Sequence, residues 1–216
     1  MKKLSIYLIL ILLIITKVNT INAQSTKSST QDIKPTIHML IFADTDDERI
    51  GESCLVDYNN IKRTASEIAY YTELQINKKY FKGVEFNQEN LKKTLEELKI
   101  NKNDVVFFYY SGHGYRTVNS ESKFPRMAIF KTGETLSENT QGVSTEEVKQ
   151  FITSKEPRLT IIFVDACNVT VGLNEPASGL LSNPSKEQYQ RLFLYSKGEV
   201  ILGGSKQGIS GTDYEG

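Results

Sequence analysis

Asp104 to Arg116 reads DVVFFYYSGHGYR. A run of six apolar or aromatic residues, Val105 to Tyr110, stops abruptly at Ser111-Gly112-His113-Gly114. A strand apolar on both faces belongs in the middle of a sheet covered on two sides. The chain has only two histidines, and one of them stands between glycines where this strand ends. A second apolar run, Leu159 to Val164, ends in the same manner with Asp165-Ala166-Cys167-Asn168.

Outward from these two strands the pattern alternates. Ile37 to Ala43 is an apolar strand, and Asp57 to Leu74 carries Ile61, Ala65, Ile68 and Ala69 at helical spacing. Val84 to Phe86 is a short strand candidate, and Asn87 is placed to cap a helix presenting Leu91, Leu95 and Leu98 on one face. Arg126 to Phe130 with the turn Thr132-Gly133 suggests a small hairpin. Ser144 and Glu147 make a capping box for a helix carrying Val148, Phe151 and Ile152. Ser185 to Ser196 reads as helix and Val200 to Leu202 as a last strand. Strands alternating with helices predict an α/β fold, with a mostly parallel central sheet and helices on both faces.

The 216 residues are 39% hydrophobic with a formal net charge of zero, enough for one domain with a real core. Charge balance gives no general pull toward nucleic acid or anionic lipid, and no nucleic-acid partner is expected. Lys2 and Lys3, the apolar run Leu4 to Ile15 and the small residue Ala23 form a secretory signal, residues 1–23. Ile21 is larger than the ideal residue before the cut, so an uncleaved anchor is the alternative. Residues 24–34, rich in Ser, Thr and Lys, read as a flexible lead-in, and 35–216 as the domain. The expected product is exported, periplasmic or extracellular in a bacterium, with no stable membrane association after cleavage. Export permits a disulfide between the only two cysteines, Cys54 and Cys167, but each sits in a context with another explanation.

In open α/β sheets, chemistry gathers outside the carboxyl ends of central strands. If the strands ending at Ser111 and Asp165 are adjacent and parallel, His113 and Cys167 share one rim. An imidazole there can take the thiol proton or stabilise the thiolate. The flanking glycines would let a substrate backbone come close. The amides of Gly114 and Cys167 would serve as oxyanion donors.

These residues, with His113 about fifty positions before Cys167, resemble the caspase-like cysteine peptidases: caspases, metacaspases, clostripain and gingipains. The resemblance runs from about Pro35 to the C-terminus and implies a caspase-like three-layer sandwich. Cys54-Leu-Val-Asp57 after the first strand narrows it toward metacaspases, bacterial metacaspase-like proteins in particular. There, Cys54, Asp57, Ser111 and Asp165 would line the pocket for the residue on the acyl side of the cleaved bond. Two carboxylates in a partly desolvated hole favour a cation, so the implied cleavage follows Arg or Lys.

Each residue also has a plainer reading. Asp57 is placed to be a helix N-cap, Asp165 a strand-end acid, Cys167 an inert buried thiol, and His38 a structural histidine. Asp44, Asp46 and Asp47 lie in a polar loop and read as solvated rather than as a metal cluster. Type I metacaspases depend on calcium, yet Tyr115 to Gln141 holds only Glu121, Glu134 and Glu138 as acids. No metal and no cofactor are expected. Set against the family, the chain stops at Gly216 where a further strand and helix would begin, so its C-terminal part is expected to be incomplete. The reading is an exported cysteine endopeptidase acting on peptide or protein substrates. Its alternative is a non-catalytic pseudo-peptidase that binds peptides or proteins, and the oligomeric state has no signal in the sequence.

Overall fold

The computed structural model describes residues 34–117, 121–135, 141–167 and 184–204. The signal and nearly all of the lead-in lie outside these residues. Strands β1 (Thr36–Ala43), β2 (Gln75–Lys82), β3 (Val105–Ser111), β7 (Leu159–Asp165) and β8 (Gly198–Gly203) form one five-stranded sheet. Their order is β2-β1-β3-β7-β8, and every pairing in it is parallel. Residues of β1, β3 and β7 alternate between the two faces, as the pleat demands. Met39, Ile41, Phe107, Tyr109 and Ile161 pack on one side, with Leu40, Phe42, Phe108, Tyr110 and Ile162 on the other.

Helices cover both faces. Helix α1 (Gly51–Thr72) lays Tyr58, Ile61, Ala65 and Ile68 on the first face. It is joined there by Tyr189 of α4 (Lys186–Gln190) and Phe193 of the π-helical turn Arg191–Tyr195. On the second face lie α2 (Gln88–Glu97), with Leu91 and Leu95, and α3 (Thr145–Thr153), with Val148 and Ile152. Asn87 caps α2 by accepting the Asn90 N–H at 2.9 Å, and Ser144 with Glu147 forms the full capping box of α3. The result is the three-layer α/β sandwich expected. Among the described residues no helix is long and apolar enough to cross a membrane.

Three local readings are corrected. Helix α1 begins at Gly51, so Asp57 lies inside it and is not its N-cap. The first residues are tied down instead by Asp47, whose Oδ1 accepts the N–H groups of Arg49 (2.8 Å) and Ile50 (3.0 Å). Val84 falls in a 3₁₀ turn (Gly83–Glu85), and the strand is the preceding β2, QINKKYFK, an edge strand too exposed to show an apolar run. Arg126–Met127 (β5) pairs with Gly114–Tyr115 (β4) and Val143–Ser144 (β6), not across the Thr132-Gly133 turn.

The strand order fixes where a site can form. From β1 the chain crosses by α1 to β2 on one side, then by α2 back past β1 to β3 on the other. That reversal opens a crevice between β1 and β3 at their carboxyl ends, the usual ligand position in such sheets.

Candidate active site

Ser111 on β3 stands opposite Asp165 on β7, and Gly112 N–H donates to the Asp165 carbonyl at 3.3 Å. His113 and Cys167 each follow these partners at the same offset, so both lie on the same rim. The two glycines around His113 have reasons that differ from the expected substrate approach. A Cβ on Gly112 would sit 2.6 Å from the Tyr110 hydroxyl oxygen and 3.2 Å from Asp44 Cβ. A Cβ on Gly114 would collide with the Cys167 carbonyl oxygen and stand 2.7 Å from Ala166 Cβ. Protein atoms fill both spaces, and the main chain after His113 is packed directly on the main chain of Cys167.

His113 is held from several directions. Its carbonyl accepts the Tyr110 hydroxyl (2.6 Å) and the Ala128 N–H (2.9 Å). Its Nε2 lies 3.2 Å from Asp47 Oδ2 and 3.5 Å from Arg49 Nη2. Burial pushes Asp47 upward, but the N–H groups of Arg49 and Ile50, then the charges of His113 and Arg49, hold it below its ordinary value. Asp44 behaves in the opposite way. Burial first, and the charge of Asp47 second, push its carboxyl up to about 6. The solvated-loop reading therefore does not describe Asp44 and Asp47, which meet His113 at the strand ends. Only proximity in the fold could reveal this; the loop sequence carries no sign of it.

Beside them lies an acidic cluster. Cys54 and Asp57 share one face of α1, aimed at the end of β3. Ser111 Oγ donates to Asp57 Oδ2 at 2.8 Å, and the Tyr109 hydroxyl donates to Asp165 Oδ2 at 3.4 Å. Burial, and next the negative charge of Asp57, push the Asp165 carboxyl up to about 6. Two half-buried acids thus stand side by side where α1 faces the strand ends. Cys54 is a different thiol from Cys167. It is 3% exposed, and burial pushes it up to about 11, so it stays protonated and inert. Both cysteines are free. Gly204, just after β8, closes on Asp165, with its amide donating to Val164 O at 2.8 Å. Tyr109, a core residue of β3, also reaches this cluster through its hydroxyl.

On the other side of His113 a cleft of about 510 Å³ opens, walled by Asp44, Asp47, Arg49, Val84, Phe86 and Phe130. A cavity of about 490 Å³ between α2 and α3 is lined by Leu91, Leu95, Val148 and Phe151 and holds none of these reactive groups. Chemistry, not size, locates the site. Of the acids after the His113 strand end, Glu121 and Glu134 are exposed and Glu138 lies outside the described residues; among the described residues no three acidic, His or Cys side chains cluster.

A search among curated proteins returns no match. A family model described as the caspase domain matches residues 39–209, from within β1 to beyond β8. With that match spanning most of the chain, and with the parallel sheet that carries it, the protein belongs to the caspase domain family of peptidases.

Proposed function

We propose that this caspase-domain protein is an exported cysteine endopeptidase that cleaves after Arg or Lys. Cys167 is the nucleophile and His113 the acid and base. The observation that carries this reading is the packing of Gly114 on the Cys167 carbonyl, with Asp57, Ser111 and Asp165 clustered at the ends of the same two strands. The Cys167 thiol passes its proton to the imidazole, and the thiolate attacks the scissile carbonyl. The C–N bond breaks as the imidazolium protonates the leaving amine, and water then hydrolyses the thioester with the imidazole as base.

Support for Gly114 as an oxyanion donor comes from register. Ala128 N–H binds the His113 carbonyl, which makes Gly114 and Met127 a pair without ladder bonds of their own. The Gly114 amide then points out of β4, beside the main chain of Cys167. Each such donor is worth roughly 3 kcal/mol in the transition state. Specificity for a cation follows from the paired acids, and an acidic residue beside them would add a third negative charge. Export rests on the Lys2–Ala23 signal pattern, and N-terminal sequencing of the exported protein should begin at Gln24.

The test is hydrolysis of fluorogenic peptides ending in Arg, Lys or Asp. Turnover of the Arg and Lys peptides, absent for Asp and lost in Cys167→Ala, is expected. Folded protein that binds an Arg peptide without turning it over, and whose Cys167 resists an arginyl chloromethylketone, would instead be a non-catalytic binding module.

A further inference from the structure

The imidazole of His113 faces a carboxylate that the loop holds rigid. Resting on the Cys167–His113 reading above, we propose that Asp47 is the positioning residue of this site: it keeps the His113 proton on Nε2 and leaves Nδ1 to exchange a proton with the Cys167 thiol.

Three observations carry this. First, the Asp47 carboxylate is fixed before substrate arrives. Its Oδ1 takes two backbone N–H groups, from Arg49 and Ile50, while its own carbonyl accepts the Gly51 N–H at 3.0 Å. The turn that starts α1 is therefore also the turn that aims Oδ2 at the ring, 3.2 Å from Nε2. Second, an ionised carboxylate can only accept hydrogen bonds, so the neutral imidazole must present Nε2 as N–H. Arg49 Nη2, 3.5 Å from the same nitrogen, can only donate and so favours the opposite tautomer, but the Asp47 contact is the shorter of the two, at 3.2 Å. Third, the His113 main chain is pinned by Tyr110 and Ala128. With backbone and one ring nitrogen both held, little freedom is left in the ring's orientation, which is the condition for efficient proton transfer.

The charges facing this ring are Asp47 and Arg49 from the β1–α1 loop and Asp44 from the end of β1. When the thiol proton moves to Nδ1 the ring becomes cationic, and the Asp47 charge stabilises it until that proton leaves with the amine. Proton count is conserved: one leaves Sγ, one reaches the leaving nitrogen, and water resupplies the pair during thioester hydrolysis.

The informative variant is Asp47→Asn, which keeps an oxygen for the Arg49 and Ile50 N–H groups but offers the ring no charge. Nitrogen-15 NMR of the histidine ring in full-length protein reads the tautomer, and peptide hydrolysis gives kcat and KM separately. The expected result is a single Nε2–H tautomer in the wild type and a mixture in Asp47→Asn. Its kcat should fall by about tenfold or more with KM and melting temperature close to wild type. Asp47→Ala, which also removes the turn, should lose thermal stability in addition. A folded Asp47→Asn protein with wild-type kcat, or with an unchanged tautomer, overturns the proposal. A wild type without turnover overturns the peptidase reading alone, and the tautomer measurement still decides whether Asp47 sets the ring.

Discussion

The two histidines of this chain make the same contact at opposite ends of the sheet. His38 Nε2 lies 3.2 Å from Asp104 Oδ2, and His113 Nε2 lies 3.2 Å from Asp47 Oδ2. The first pair is sealed, with side chains 6% and 1% exposed; the second is open, at 33% and 23%. Every group around the first is consumed. Asp104 also accepts the N–H groups of Thr36 and Asn101, each at 2.8 Å, and His38 Nδ1 meets the Asn77 amide at 3.4 Å. That pair staples the start of β1 to the turn before β3. The second sits past the carboxyl end of β3, where loops diverge and a cleft opens beside the ring. The contact is the same at both ends; exposure and position along the parallel strands are what differ.

The sharpest way to break the comparison is to exchange the roles by mutation. His113→Gln should lower kcat/KM for an Arg peptide by about 10³-fold and leave the melting temperature nearly unchanged. His38→Gln should do the reverse, keeping turnover while costing roughly 1–3 kcal/mol of stability. Asp104→Ala, measured by urea unfolding, should cost about 3–5 kcal/mol, because a buried histidine and two backbone amides lose their shared acceptor. Gly114→Ala tests the open end sterically: its methyl has no room beside the Cys167 carbonyl and Ala166. A displacement of the nucleophile by about 1 Å is expected to cost about a hundredfold in kcat/KM, read with the same peptide.

The smallest effect concerns pH, where Asp104 at one end of the sheet and Asp165 at the other should differ in sign. Burial raises the cost of ionising Asp104, but the Thr36 and Asn101 N–H groups and His38 outweigh it and hold the carboxyl below its ordinary value. Its stabilisation is present above the unfolded carboxylate range and is lost as pH falls through the folded value. Asp165 is raised to about 6 by burial and by Asp57, so its contribution is present below about pH 4 and lost as pH climbs through 6. Asp165→Asn should therefore stabilise the fold by of the order of 2 kcal/mol at pH 8 and almost nothing at pH 4. In the wild type, KM for the Arg peptide should rise as pH drops below about 6 and the pocket takes up a proton. Urea midpoints and KM measured across that range check both.

Much of the architecture was open to reading from local pattern. β1, β3 and β7 are buried on both faces and so appear as nearly continuous apolar runs, interrupted inside only by His38 and Thr160, and the caps at Asn87 and Ser144 use their own side chains. β2 escaped notice because an edge strand needs few apolar residues. The start of α1 escaped because Ile50 has no capping side chain and the acceptor, Asp47, sits earlier in the loop. Cys54 and Asp57 both meet Ser111 at the end of β3, a placement implied only by the family resemblance, and they do so from inside α1 rather than from its first residue.

Taken alone, the amino-acid order determined the alternation of layers and the placing of His113 and Cys167 just past β3 and β7. These depend on backbone periodicity, which acts over a few residues and leaves its mark in every window of the chain. Tertiary structure alone decided that Asp47 meets His113 while Asp104 meets His38, and that Gly112 and Gly114 make room for Tyr110 and Cys167. Those choices hang on strand order and on where a loop returns, and a carboxylate in a polar loop looks the same in sequence whether it faces water or an imidazole.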